Sequence, residues 1–379
     1  MSIQKIVSLL FGLFLASIPL IYFSFLQNGY EFPKFVIFVT GSICFFVFLS
    51  FYALKRSTNF LFRKEHVLLL VLTGILFFSD VTGVDPYFSL LGSSYRYQGF
   101  ITFLCGVVLF MFTSFWFRLF SNEKKYVFLM LICSGVIISA ISAYQFILLN
   151  YFNYSAFPRF DDRIIATFGN PNFMGGYLAV LFSFVYFQNS KFSSVKLGIN
   201  KRLKNIILGL FVIAITVSYS RSALICIPIV ILIPFLFSQV KNVRLIIGVS
   251  ILAVLFFSSI LFIRSSVYDT RLLIWTEGVK AVVNSPIFGY GQENFEIIFP
   301  LDLYMKVDSA HNIFLEFAVA GGFLSLGLFI WFLYLILKKA PFDIRIMLFV
   351  FLITASFNPI SITQWSLFWV IAGFSASRE

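Results

Sequence analysis

Charge is scarce in this 379-residue chain. Asp, Glu, Lys and Arg make up only 12% of it, about half the share usual in a soluble domain. Hydrophobic residues make up 60%, and the mean hydropathy is +0.96. So many apolar residues, including 54 Phe, 17 Tyr and 5 Trp, cannot all be buried inside a water-soluble globule. The composition excludes nucleic-acid-binding, secreted disulfide-linked and disordered proteins, and it predicts an all-α polytopic transmembrane bundle.

Residues that bind metals are equally few. The four cysteines lie inside apolar runs and form no CxxC pair, so neither disulfides nor a zinc site is indicated. There is no DxD motif and no histidine cluster, and the adjacent Asp161 and Asp162 are expected to be solvated. We therefore predict no metal and no cofactor. Because no repeat or low-complexity linker divides the chain, residues 1–379 are expected to form one integral membrane domain.

Apolar runs long enough to cross a membrane are abundant. The pair 205–220 and 222–240 must turn near Ser220-Arg221-Ser222, and the last run, 346–377, is too long for one span and is expected to turn at Asn358-Pro359. Counting each pair as two helices gives about twelve spans. The predicted spans lie near 6–26, 35–54, 66–84, 99–117, 126–149, 171–188, 205–220, 222–240, 245–263, 315–337 and 346–377.

The basic residues indicate the orientation. Most of the 28 Lys and Arg residues fall in loops that share a side with the N-terminus. The positive-inside rule therefore predicts that both termini are cytoplasmic, so the net charge of +12 reflects topology and not a nucleic-acid partner. The first apolar run has no small-residue cleavage site, and we expect it to be a retained anchor.

The loops predicted to face outward carry arginines against this bias. A planar guanidinium suits phosphate or diphosphate, although a single outward Arg can also snorkel to headgroups or pair with a loop carboxylate. Arg221 is the only charge between residues 205 and 240 and lies where two spans meet, a costly place for an unpartnered charge. The six outward arginines are Arg96, Arg159, Arg163, Arg221, Arg264 and Arg271.

The longest outward loop, 264–310, contains a predicted helix. Residues 268–270 are expected to cap it, and it should run from Arg271 to Val283 and stop at residues 284–286. Arg271 and Trp275 share one face, four residues apart. The apolar residues expected to rest on the outer membrane surface are Leu272, Trp275, Val279 and Val282. After the helix, Gly289-Tyr290-Gly291 forms a turn that a ligand could approach, but taken alone an ordinary loop turn is the better interpretation.

His311 is one of only two histidines and opens a predicted span on the outward side. Asn312 follows it, and Glu316 lies four residues further on, on the same helical face as Asn312. Together they form a candidate acid/base station. A polar cap at the start of a helix is the alternative.

These residues lie in stretches that resemble the O-antigen ligase/O-antigen polymerase superfamily of bacterial membrane glycosyltransferases. Each motif is short, but the motifs follow the family's order and lie on the expected side. The matching stretches are 85–99 with Arg96-Tyr97-Gln98-Gly99, 163–172 with Asn170-Pro171-Asn172, Ser220-Arg221-Ser222, 271–275, 286–291, and His311-Asn312 followed by Gly322.

The resemblance implies a GT-C-like helical fold and a metal-independent glycosyltransferase of the bacterial inner membrane. The enzyme would transfer a glycan from an undecaprenyl-diphosphate-linked donor to an acceptor hydroxyl at the outer face. By the same resemblance His311 is the catalytic histidine, and Arg221 and Arg271 hold the diphosphate. The further candidate substrate-binding residues are Arg96, Arg163, Asn170, Asn172, Trp275, Asn312 and Glu316. The implied partners are the donor, a glycan or lipid acceptor and membrane lipids, with no nucleic acid.

Two alternatives stay open at this point. One is an O-antigen polymerase that joins lipid-linked repeat units. The other is a transporter or flippase of the same lipid-linked glycan, which would be expected to have charge midway along its spans and broken helices in pseudo-symmetric halves.

Overall fold

A computed structural model of the chain describes residues 2–56, 61–152, 163–237, 267–299 and 307–378. These residues form helices and connecting turns and contain no strand, so the predicted all-α class is confirmed for them. The predicted span 245–263, together with Arg159, Asp161, Asp162 and Arg264, lies outside the described residues.

Fourteen α-helices occur in the described part of the chain. In order they are α1 Ile3–Leu20, α2 Glu31–Arg56, α3 Lys64–Thr82, α4 Pro86–Leu91, α5 Phe100–Leu119, α6 Lys124–Tyr151, α7 Pro171–Phe187, α8 Lys201–Val217, α9 Arg221–Phe237, α10 Val267–Asn284, α11 Phe295–Ile298, α12 Ile313–Lys339, α13 Phe342–Ala355 and α14 Ile362–Ala376.

Six of these helices are long and apolar enough to cross a membrane, namely α1, α2, α3, α5, α6 and α12. The helices α7, α9 and α14 are apolar but shorter. The count of about twelve spans therefore stays a prediction. Both predicted helix-to-helix turns are confirmed: α8 ends at Val217 before α9 begins at Arg221, and α13 ends at Ala355 before α14 begins at Ile362.

The core lies around α7 and α14, which are apolar on every side. A helix that is hydrophobic all round lies in the core of a large protein or spans a membrane. Nearly every residue of both helices is buried. The Trp369 ring of α14 lies 5.5 Å from Phe103 of α5 and 5.9 Å from Phe332 of α12, so α14 packs against both of these helices.

Contacts between turns define one end of the bundle. Asn28 Nδ2 donates to the Ser94 carbonyl at 2.7 Å, and Lys34 Nζ donates to the Thr167 carbonyl at 2.8 Å. We call this the histidine end, because His311 lies there. It comprises the turns 21–30, 83–99, 163–170, 218–220, 285–294, 307–312 and 356–361.

The opposite end, which we call the basic end, carries most of the described Lys and Arg residues. There Lys124 Nζ donates to Ser377 Oγ at 2.8 Å, Lys339 pairs with Glu65 at 2.7 Å, and the Ser194 backbone N–H donates to Asp343 at 2.7 Å. It comprises the turns 61–63, 120–123, 188–200, 340–341 and 377–378.

Helix α12 is broken at Gly321 and Gly322, where φ of Gly322 is +68°. The loop segment 286–291 supplies the hydrogen bonds that the helix loses: Tyr290 N–H and Gly291 N–H donate to the Val319 and Ala320 carbonyls, both at 2.9 Å. A Cβ at Gly322 would overlap the Ile287 carbonyl. The Gly289-Tyr290-Gly291 turn is therefore a structural clamp on α12, which favours the ordinary-turn interpretation over a ligand contact.

Candidate active site

His311 lies in the turn directly before α12, with a left-handed backbone (φ +53°). Its Nδ1 is 2.9 Å from the Ser309 carbonyl oxygen. A carbonyl oxygen only accepts hydrogen bonds, so this contact selects the tautomer that is protonated at Nδ1. The lone pair then lies on Nε2, the atom that can take up a proton.

The surroundings of His311 keep its imidazole neutral. Burial lowers its pKa below the ordinary histidine value, and the charges of Arg96 and Arg271 lower it further, against the Ser309 hydrogen bond and Asp308. A general base must be unprotonated at the working pH. His311 therefore has both the tautomer and the protonation state that a base requires.

Asn312 and Glu316 hold the backbone around His311. Asn312 Oδ1 caps α12 by accepting from the N–H groups of Phe314 and Leu315, at 3.0 and 3.2 Å. Glu316 Oε1 accepts from the Ala310 N–H at 2.8 Å. Asn312 is thus the polar cap that was the alternative to a catalytic station, and Glu316 holds the residue before the histidine.

Arg96 is buried, 7% exposed, beneath the same turn. Its guanidinium lies 3.6 Å from Glu293 and 3.8 Å from the Asp308 carboxylate, and it donates to the Asp308 carbonyl at 3.2 Å. Burial alone would lower the pKa of Arg96, but the facing carboxylates outweigh burial and raise it, so the side chain stays cationic. The structure therefore places Arg96 in internal ion pairs that support residues 308–311.

Arg271 reaches the turn between α13 and α14. Its Nη2 donates to Asn358 Oδ1 at 3.1 Å, and Asn358 Nδ2 donates to Ser222 Oγ at 2.6 Å. Ser222 follows Arg221, the first residue of α9. Asn358 thus connects Arg271 to the residue that follows Arg221. From the sequence, Asn358 is predicted only to lie in a turn, so this role is new in the structure.

The predictions for α10 need two corrections. The helix begins at Val267, so residues 268–270 lie inside it and do not cap it, although it ends at Asn284 as predicted. Its buried stripe is Ile274, Gly278 and Val282, and Leu315 of α12 lies against Gly278. Packing against α12 thus buries Val282, one of the four residues proposed for the membrane surface.

The predicted face of α10 is divided. Of its four residues, Val282 is buried, whereas Leu272 and Val279 are 60% and 55% exposed. Trp275 lies on the side of Arg271, with its ring 6.0 Å from Phe357. Arg271 and Trp275 therefore share a face, as predicted, and that face meets the turn 356–361.

Arg163 joins the start of α7 to the turn before Arg221. Its Nε donates to the Ser218 carbonyl at 2.9 Å, and its Nη2 donates to Asn172 Oδ1 at 3.0 Å. Asn170 is the N-cap of α7 and accepts from the Asn172 N–H at 2.8 Å. These three residues are thus brought together, and they hold the turn that presents Arg221.

Comparison with known proteins points to one family. A family model described as O-antigen ligase matches residues 206–332. The match includes Arg221, Arg271 and His311 and supports the O-antigen ligase/polymerase superfamily, whose members are glycosyltransferase-like enzymes. No curated protein matches the chain. The apolar helices and the family match together support an integral membrane protein with an O-antigen ligase/polymerase-type function.

Proposed function

We propose that this protein is a metal-independent membrane glycosyltransferase of the O-antigen ligase type. It transfers a glycan from an undecaprenyl-diphosphate-linked donor to an acceptor hydroxyl at the outer face of the bacterial inner membrane. The observation that carries this proposal is the contact of His311 Nδ1 with the Ser309 carbonyl, together with the contacts by which Asn358 links Arg271 to the Arg221 turn.

In this proposal His311 is the general base and the lipid diphosphate is the leaving group. Nε2 of His311 takes the proton from the acceptor hydroxyl while the hydroxyl oxygen attacks the anomeric carbon. The bond between that carbon and the diphosphate breaks, and its electron pair leaves with undecaprenyl diphosphate, which inverts the anomeric centre. Arg221 and Arg271 stabilise the charge that develops on the diphosphate, so no divalent cation is required.

The remaining candidate residues position these groups. Arg163, Asn170 and Asn172 hold the turn before Arg221, and Trp275 fixes the side of α10 that carries Arg271. Arg96, Asn312 and Glu316 hold the backbone on either side of His311. We propose that they shape the site without taking part in proton transfer.

Charge placement supports the orientation. The basic end would face the cytoplasm with both termini, because Lys and Arg are retained on that side of a membrane. The histidine end would then face outward, where undecaprenyl-linked glycans and their acceptors meet.

Replacing His311 with Ala tests the central role. A general base contributes about 10²- to 10⁴-fold to a rate, so we expect transfer to fall by that factor while the donor still binds. The measurement is mass analysis of the product formed from purified lipid-linked donor by the protein in nanodiscs. The control is His66→Ala, which removes the other histidine, a buried residue at the basic end. Full activity per folded molecule of His311→Ala would rule out the base.

Arg271→Lys tests the diphosphate contact. Lys keeps the positive charge but loses the planar fork that binds two oxygens at once. We expect a lower rate with the donor and no change in the tautomer of His311. An unchanged rate would mean that Arg271 does not contact the diphosphate.

The family match favours a polymerase equally, and the two activities differ in their acceptor. Deleting a polymerase leaves single repeat units on the surface. Deleting a ligase leaves complete long chains on the lipid carrier. Electrophoresis of surface and carrier-bound glycans from a deletion strain distinguishes the two.

A further inference from the structure

A cavity lies beside the His311 turn, and its empty space, with the part open to solvent, is about 620 Å³. Its polar lining includes Gln98, Glu293, Glu316 and Asn358, and its apolar wall includes Phe317 and Trp365. This combination of polar and apolar walls suits a small polar molecule.

Gln98 is the unusual member of this lining. It is only 8% exposed, and neither its Oε1 nor its Nε2 has a hydrogen-bond partner among the described residues. Burying an amide without partners costs free energy, so buried amides are nearly always paired. An unpaired buried amide that lines a cavity points to an occupant that both donates and accepts.

The other polar groups of the cavity are held by the protein. Asn358 donates to Ser222 and to the Thr354 carbonyl and accepts from Arg271. Glu293 accepts from Ser93, and Glu316 accepts from the Ala310 N–H. A carboxylate has about four acceptor positions, so both acids can accept further hydrogen bonds. The cavity therefore presents fixed acceptors and the paired guanidinium of Arg96 beside one amide that offers a donor and an acceptor.

The charge of the lining does not suit an anion. Its one basic residue among those described, Arg96, already pairs with Glu293 and Asp308, and Glu316 adds a second acidic side chain. A phosphate would be repelled, and an alkyl chain would leave Gln98 unpaired. An uncharged ring with several hydroxyl groups satisfies the amide and the carboxylates while its C–H face packs on Trp365.

We propose that this cavity is a subsite for one neutral pyranose ring of the transferred or accepting glycan, with Gln98 as its specificity-determining residue. The proposal rests on the glycosyltransferase function above. Asn358 lines the cavity and also binds Arg271, the residue assigned to the diphosphate. We therefore expect the ring to be the donor sugar attached to that diphosphate.

Gln98→Leu tests the subsite, because Leu fills similar space without polar atoms. The probes are bare undecaprenyl diphosphate and the same lipid carrying its glycan, extracted from the source cells, each titrated into protein in nanodiscs. We expect an unchanged Kd for the bare lipid and a Kd at least 10-fold weaker for the glycan-bearing lipid. If the KM of the acceptor rises at least 10-fold instead, the ring belongs to the acceptor.

The thermal unfolding temperature gives a second readout. Removing an amide that has no partner in the fold should leave Tm unchanged or raise it. The matched control is Gln145→Leu, since Gln145 is buried to 3% exposure and accepts from the Ala166 N–H at 2.9 Å. That variant should lower Tm and leave the ratio of the two Kd values unchanged.

Two results would overturn the subsite. One is an unchanged Kd and KM for both glycan substrates in Gln98→Leu, which would indicate a water-filled cavity. The other is a fall in Tm as large as that of Gln145→Leu, which would show that the amide is structural. Failure of the wild-type protein to form product would instead contradict the proposed function, and the lipid titration would still test the subsite.

Discussion

Backbone strain separates the two ends of the bundle. Among the described residues, five non-glycine residues at the histidine end have positive φ, namely Tyr97, Ala166, Tyr219, Glu293 and His311, whereas the basic end has only Asn189, a residue type that tolerates it. Such conformations cost about 1–3 kcal/mol each and persist only where the surrounding packing enforces them. The histidine end is thus held rigidly in a costly shape, as a preorganised site requires, and the basic end is not.

The basic side chains at the two ends also differ in the groups that they bind. At the basic end, Arg345 and Lys204 donate to backbone carbonyls at or just beyond the C-terminal ends of helices, at 3.0 and 2.6 Å, where positive charge is favoured by the helix dipole. At the histidine end, Arg96 binds carboxylates, and Arg163 and Arg271 bind amide oxygens. The helix dipole and the membrane topology explain the cations of the basic end, whereas the cations of the histidine end form part of the candidate site.

The largest effect is expected for Arg96→Leu. It leaves Glu293 and Asp308 beside one another without their cation, and breaking a buried pair this way costs about 3–5 kcal/mol. Chemical unfolding of the purified protein measures the loss. Lys280→Met removes an exposed pair with Glu277 and should cost about 0–1 kcal/mol. Equal losses in the two variants would mean that Arg96 does not hold the histidine end together.

Gly322→Ala should cost about 2 kcal/mol or more, since a left-handed conformation alone costs a non-glycine residue about 1–2 kcal/mol and the new Cβ would meet the Ile287 carbonyl. The control is Gly327→Ala in the same helix, where a Cβ meets nothing within 4 Å. That change should be neutral or stabilising by up to about 1 kcal/mol. Thermal unfolding of both variants checks the difference, and similar values would refute the clamp on α12.

Asn358→Leu should lower kcat/KM by about 10-fold, equivalent to about 1.4 kcal/mol, because it releases Arg271 from Ser222. The matched asparagine at the basic end is Asn200, which caps α8 by accepting from the Leu203 N–H. Asn200→Leu should cost about 1 kcal/mol of stability while activity per folded molecule stays constant. If both variants lose activity equally, the two ends do not differ in function.

The smallest effect is expected in the pH profile. The pKa of His311 lies below its ordinary value, so activity should persist down to mildly acidic pH and fall as the histidine is protonated. Arg271→Gln removes one positive charge that lowers this pKa, so the acid limb of kcat/KM should move to higher pH. The control is Lys280→Gln, which removes the charge of an exposed side chain that pairs with Glu277. A shift to lower pH would contradict the assignment of His311.

Much of the fold could be predicted from the sequence, because apolar length and turn residues act locally. The break at residues 218–220, the turn at Asn358 and the end of α10 at Asn284 follow from such signals. The start of α10 could not be placed, since Asp269 and Thr270 favour caps but are also tolerated within a helix. The buried face of α10 was missed because α12, distant in sequence, determines which side packs.

The site was predictable to the extent that its residues are rare in an apolar chain. His311 and Arg221 stand out as uncommon residue types at span ends, and Arg271 stands out as an arginine in a loop predicted to face outward. Glu293 and Gln98 carry no such signal, because one acid or amide in a polar loop is ordinary and only the fold buries it. A search for polar residues beside Gly-x-Gly turns would have found Glu293, but only contacts across 200 residues show that it faces Arg96.

The break in α12 has a consequence for engineering. Residues 286–291 complete the hydrogen bonding of this helix through Tyr290 and Gly291, so the loop is not a separable module. A chimera that exchanges this loop between homologues must also exchange the first half of α12, up to Gly322. Insertions intended to alter acceptor choice should therefore be placed outside that paired segment.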